Sequence, residues 1–276
     1  MLSRPFTRPL GFSLTELAVV LVIVALLLGG LLVPFATQRD VEAMRATEKS
    51  LSDIRDALIG FAAIYGRLPC PAQGTIASGS ANAGVEATMT SGGITYCACS
   101  ASTGVGIATV GSIQCKVTAD SDSVAGVLPW ATLGLLEPDG WGYRYTYHVS
   151  TFFARGINSA EILFGTGCTP SPNPPVNASF GLCTPGAIVM YSAASGGTLL
   201  ADTGKVAAVV VSHGGNHLGA YTSSGTKLAS TGATADEAQN VDGDATYVSN
   251  SGIDDRLIWL STTQLMSRMM SAGKLP

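Results

Sequence analysis

Charge is scarce in this chain: Asp, Glu, Lys and Arg make up 12% of 276 residues, and the formal net charge is −4. No basic cluster lies beyond the first eleven residues. Phosphate binding needs a concentrated positive surface, so no nucleic acid partner is expected. The signatures of common catalytic machinery are missing as well. There is no Gly-x-Ser-x-Gly elbow, no Walker A sequence and no His-Glu-x-x-His. His213-Gly214-Gly215 superficially matches an esterase oxyanion loop, and His148 and His217 are potential bases, yet no nucleophile accompanies them. His213 reads better as a polar residue at a strand end beside a glycine turn. The chain is therefore not expected to be an enzyme, and no catalytic residue is assigned. Zinc is disfavoured for want of a Cys-x-x-Cys pair or clustered histidines.

One long hydrophobic run stands out against this background. From Phe12 to Val33 the single charge is Glu16, and about 22 residues at 1.5 Å each make a helix of roughly 33 Å, long enough for a bilayer core. An ionised carboxylate there costs on the order of 2 to 4 kcal/mol, so an acid in such a place needs a partner or a task. The bland alternative is a signal anchor whose Glu16 stays hydrated at the interface. Arg4 and Arg8 precede the Gly11-Phe12 junction. A secretory signal peptide would be cut after its apolar stretch. Here the plausible cut, between Gly11 and Phe12, comes before it.

The stretch Gly11-Phe12-Ser13-Leu14-Thr15-Glu16 followed by an apolar run resembles the leader of type IV pilins and type II secretion pseudopilins. The resemblance implies that a prepilin peptidase cuts after Gly11 and methylates the Phe12 amine. It implies further that Glu16 pairs with the amine of a neighbouring subunit as a helical filament assembles. It also implies a bacterial inner-membrane protein, single-pass, with its head in the periplasm and later in a filament. Membrane lipid, an inner-membrane assembly platform and other pilin or pseudopilin subunits would be its partners. The expected domains are a leader at 1–11, a helix at 12–66 and a globular head at 67–276. The expected function is a structural filament subunit; the alternative is a minor pilin acting as a tip adhesin or cargo-binding module.

Past Pro34, a candidate kink, Val41, Met44, Leu51, Ile54, Leu58, Phe61 and Tyr65 recur at three-, four- and seven-residue steps, an apolar stripe on one helix face. Mixed charges from Glu42 to Asp56 fill the other face. Gly66 to Pro71 stops the helix. The Gly/Ser/Thr-rich segment from Ala72 to about Ala125 reads as a long, disulfide-tethered surface loop, with weak strand patterns at 94–96 and 113–115. Strands are expected at 142–149, 161–164, 187–192, 206–212, 246–248 and 256–260. Val206 to Ser212 is central, and a capping box at Ser261–Gln264 opens a C-terminal helix. The expected fold is α+β: a long N-terminal helix, transmembrane in its first half, packed on an antiparallel pilin-type sheet. Trp130 and Trp141, within a Pro-Trp and an Asp-Gly-Trp-Gly stretch similar to that of major pseudopilins, are expected in the core.

The six cysteines, Cys70, Cys97, Cys99, Cys115, Cys168 and Cys183, all fall in the head. An even count suggests disulfides, with 15 possible connectivities. Cys168 and Cys183 bracket a proline-rich loop and look like one pair. Cys97 and Cys99 are too close to bridge each other comfortably and are expected to reach Cys70 and Cys115. Acidic residues gather near the C-terminus. Asp236, Glu237, Asn240, Asp242, Asp244, Asp254 and Asp255 supply the oxygen ligands that calcium prefers, and the layout from Ser212 to Trp259 loosely resembles the calcium loop of major pseudopilins. Asp242, Asp244, Asp254 and Asp255 are the candidate ligands; the alternative is a solvated acidic loop that binds nothing.

Overall fold

The computed structural model describes residues 11, 13–91, 94–98, 106–110, 113–117, 123–157 and 177–275, with side chains except at 28–37, 91, 94, 106–110, 113–117 and 203. The chain divides into two compact units, Met1–Glu42 and Ala43–Pro276.

In the first unit helix α1, Leu14–Tyr65, begins. Apart from Thr15 and Glu16, the side chains at 14–27 are apolar, and they are exposed, Leu14 by 86% and Leu26 by 72%. That described apolar stretch is 14 residues, about 21 Å of helix against a hydrocarbon core of roughly 30 Å. Among the described residues no helix is long and apolar enough to cross a membrane. The expected transmembrane half of α1 and the single-pass inner-membrane location are corrected accordingly. The fold is a mixed helix–sheet one.

In the second unit α1 is amphipathic. Leu51, Ile54, Leu58 and Ala62, three or four residues apart, are buried on one face. They join Tyr147, Val149, Val210, Leu265 and Met269 in the main core. The expected stripe is trimmed at its ends, with Val41 and Tyr65 exposed. Thr47 is fully buried and is the surprise on this face: its hydroxyl accepts the Gly140 N–H at 2.9 Å. A Cβ on Gly140 would lie 2.1 Å from the Ala43 carbonyl oxygen, so only glycine fits where this turn meets the helix. Gly66, at φ 71°, then ends α1 in the left-handed conformation that glycine tolerates.

The segment expected to be a loop contains four short strands. β1 (Thr88–Ser91) and β2 (Ile94–Cys97) form an antiparallel hairpin. β3 (Gly106–Val110) and β4 (Ile113–Val117) extend the main sheet. The weak patterns at 94–96 and 113–115 fall within β2 and β4, whereas β1, with Thr88, Thr90 and Ser91, shows no apolar alternation. The main sheet has eight strands. Its remaining members are β5 (Ser123–Val127), β6 (Thr146–Ser150), β7 (Ile188–Tyr191), β8 (Leu199–Ser212), β9 (Thr246–Val248) and β10 (Arg256–Ser261). The order is β3-β4-β5-β6-β8-β7-β9, and β10 pairs with β8. All pairings are antiparallel except β7 with β9. β8 is central, as Val206–Ser212 predicted, but starts earlier. β6 starts later than predicted, because Gly142 sits at φ 93° and residues 139–143 form a turn. The strand expected at 161–164 lies outside the described residues.

Short helices complete the fold: α2 (Trp130–Leu133), α3 (Thr151–Ala154), α4 (Ala235–Gln239) and α5 (Thr262–Ser271). Ser261 caps α5 by accepting the Gln264 N–H, as its Ser-x-x-Gln spacing predicts. On the other side of the sheet, Ile188, Met190, Val206, Val209, Val211 and Tyr247 form a second core.

Candidate functional site

Gly11 is exposed, and a Cβ built on it would meet no atom within 4 Å, so the backbone at the expected cut is sterically open. Phe12 lies outside the described residues. Glu16, expected to be a charge in need of a partner, has one in its own chain. The Ser13 N–H donates to Glu16 Oε2 at 2.8 Å, and the Glu16 N–H donates to Ser13 Oγ at 3.2 Å. This is a reciprocal capping box, Ser-x-x-Glu, at the start of α1. The Ser13 backbone bond, followed by its side-chain bond, holds the exposed Glu16 carboxyl below the usual range. The Ser13-x-x-Glu16 spacing that makes this box is legible in the sequence.

The acidic region is built on three elements: the turn after β8, helix α4 and the start of β10. The four candidate calcium ligands fall into two groups. Asp242 and Asp244 both accept from Gln239 Nε2, at 2.9 and 3.1 Å. Each also takes a backbone N–H two residues on, at 3.1 and 2.8 Å, the Asx geometry of a turn entering a strand. Asp254 accepts the Asn216 N–H at 2.7 Å, and Asp255 accepts from Asn240 Nδ2 at 2.8 Å. Glu237 belongs with the second group. It accepts from Asn216 Nδ2 at 2.6 Å and from the Thr234 N–H at 2.7 Å, the latter within a Thr-x-x-Glu capping box. Among the described residues no group of three or more His, Cys, Asp or Glu side chains is placed to hold a metal ion.

Desolvation is the leading influence on Asp254 and Asp255. Burial pushes the Asp255 carboxyl up to about 7, and the neighbouring Asp254 and Glu237 charges act in the same direction. Burial also raises Asp254, whereas the Thr234 backbone bond lowers Glu237. His213, 2% exposed, follows β8 and makes a 2.8 Å bond from Nε2 to the Thr146 hydroxyl. Burial, and then the Lys227 charge, push His213 down to about 4. His213 Nδ1 lies 3.9 Å from Asp255 Oδ1, so near neutrality this contact is between a neutral ring and a carboxyl, with no cation in it.

A disulfide joins Cys70 and Cys97, tethering the end of α1 to the β1–β2 hairpin. Cys183 is also disulfide-bonded. Cys99 and Cys168, like the side chain of Cys115, lie outside the description. Trp130 is buried with the Arg144 guanidinium 4.8 Å above its ring, whereas Trp141 is only half-buried. The Asp-Gly-Trp-Gly stretch acts through Asp139. One of its oxygens accepts the Trp141 and Tyr143 N–H groups, both at 2.9 Å, and the other accepts the Ser212 hydroxyl at 2.6 Å. No family model matches the chain, and neither the curated proteins nor the solved structures contain a significant match, so nothing found there supports a pseudopilin or a role in secretion.

Proposed function

We propose that this chain is a structural subunit of a type IV pilin-like filament, cut after Gly11 by a prepilin peptidase and assembled through the N-terminal part of α1. The observation that carries the reading is the exposed apolar surface at residues 14–27, directly after an open glycine. An apolar patch of that size in water needs a partner surface, and the same segment of further copies supplies one of matching chemistry. Glu16 has a defined part in this reading. Oε2 is held by the Ser13 N–H, which fixes the carboxylate in one orientation and leaves Oε1 to accept a proton donor from a neighbour. Removal of the leader would create such a donor, the Phe12 amine. An ammonium–carboxylate pair formed only in register would set subunit spacing, because each partner is costly to bury alone. The test is co-expression with a prepilin peptidase, mass analysis of the N-terminus, and electron microscopy of filaments from the native chain and Glu16→Ala. A cut after Gly11 and loss of filaments in the variant support the reading. An intact N-terminus refutes it.

A further inference from the structure

β10 has a single strand neighbour, β8, and among the described residues no backbone bond reaches its outer edge. A free sheet edge is a template for another strand, and proteins usually blunt one with charge, proline or a bulge. β10 does little of this. Its middle reads Leu257-Ile258-Trp259-Leu260, its only charge is the terminal Arg256, and its one irregularity falls at the far end, between Leu260 and Ser261. Leu257, Ile258 and Trp259 are each half-buried. Beside this edge, still within the second unit, a groove of about 300 Å³ runs between β10 and α1. Leu51, Leu257 and Ile258 give it an apolar lining, while Glu48, Arg55 and Arg256 supply its charge, with a net excess of one positive.

We propose that the outer edge of β10 and the adjoining groove dock an extended segment of another polypeptide. The segment adds as a strand and sets an acidic side chain against Arg55 and Arg256. Backbone bonds along the edge provide the adhesion. Alternate side chains of the added strand fall towards the groove, so its apolar lining and paired arginines provide selectivity. The site is independent of whether Gly11 is cut.

The test uses the full chain and two labelled, end-blocked hexapeptides that alternate valine and threonine, one with a single central aspartate and one with lysine in its place. Fluorescence anisotropy is expected to show tighter binding of the aspartate peptide. Arg55→Glu combined with Arg256→Glu is expected to weaken that peptide roughly tenfold and reverse the preference, since like charges then face each other. Amide exchange on peptide addition is expected to slow in β10. The proposal is overturned if neither peptide binds, if binding ignores the charge on peptide or protein, if protection appears away from β10, or if sedimentation shows a second copy already seated on the edge. Circular dichroism checks the variant's fold; should it fail, the comparison of the two peptides on the native chain decides.

Discussion

Asp139 ties the Asp-Gly-Trp-Gly turn to the end of β8, and removing it is a sharp test of how that turn is held. It is 7% exposed and accepts three hydrogen bonds, from the Trp141 N–H, the Tyr143 N–H and the Ser212 hydroxyl. Asp139→Ala strands all three donors. A buried donor left unpaired costs about 1 to 3 kcal/mol; because part of this turn reaches water, a total of about 3 to 4 kcal/mol is expected. For a unit of this size that is roughly 6 to 16 °C in Tm. Asp139→Asn keeps an acceptor for the two backbone groups and presents an amide to Ser212, whose hydroxyl can turn to accept. Its loss is expected to stay near 1 kcal/mol. Urea unfolding followed by tryptophan fluorescence measures both variants. An alanine variant within about 0.5 kcal/mol of the native chain, the usual range of a plain surface change, would refute the assignment. So would an asparagine variant as damaged as alanine.

Other expectations follow from the same structure. Leu58→Ala, at the buried centre of the amphipathic half of α1, should lose about 2 to 5 kcal/mol in urea unfolding, as cavity-forming core changes do. Ser13→Ala should fray the start of α1, costing about 1 kcal/mol locally, seen as faster amide exchange at Glu16; unchanged exchange would dismiss the capping box. Asp255 binds a proton in the folded state up to about pH 7 that the unfolded chain releases near 3.8. Its share of stability is therefore present below that lower value and declines as pH rises towards 7, by up to about 4 kcal/mol. His213, lowered from 6.5 to about 4, acts with the opposite sign and adds stability as pH rises through that range. The contributions of these two groups therefore oppose each other in this window. Asp255→Asn should unmask a rising slope of about 1.4 kcal/mol per pH unit; a profile parallel to the native one would contradict the burial argument.

Where sequence and structure agree, strong periodicity is the reason. Leu51, Ile54 and Leu58 recur at helical spacing and are buried, and the nearly all-apolar Val206–Ser212 lies within the central strand. Within the segment expected to be a loop, the weak patterns at 94–96 and 113–115 fall within β2 and β4, whereas Thr88–Ser91 has no apolar alternation and is defined by its pairing with β2. The hydropathy of Phe12 to Val33 predicts a membrane span, but among the described residues no helix is long and apolar enough to cross a membrane. In the acidic region, closeness in sequence does not make the four aspartates one ligand set. Asp242 and Asp244 turned to Gln239 and their own turn, while Asp254 and Asp255 turned to Asn216 and Asn240. Those amide partners were legible as residues but not as partners, since nothing in spacing alone brings Asn216 to Asp254.

The mature N-terminus tests the central claim most directly. Mass spectrometry of the chain co-expressed with a prepilin peptidase should find Phe12 as the first residue, carrying one added methyl group. A chain that still begins at Met1, or one cut beyond Val33, would contradict the filament-subunit account.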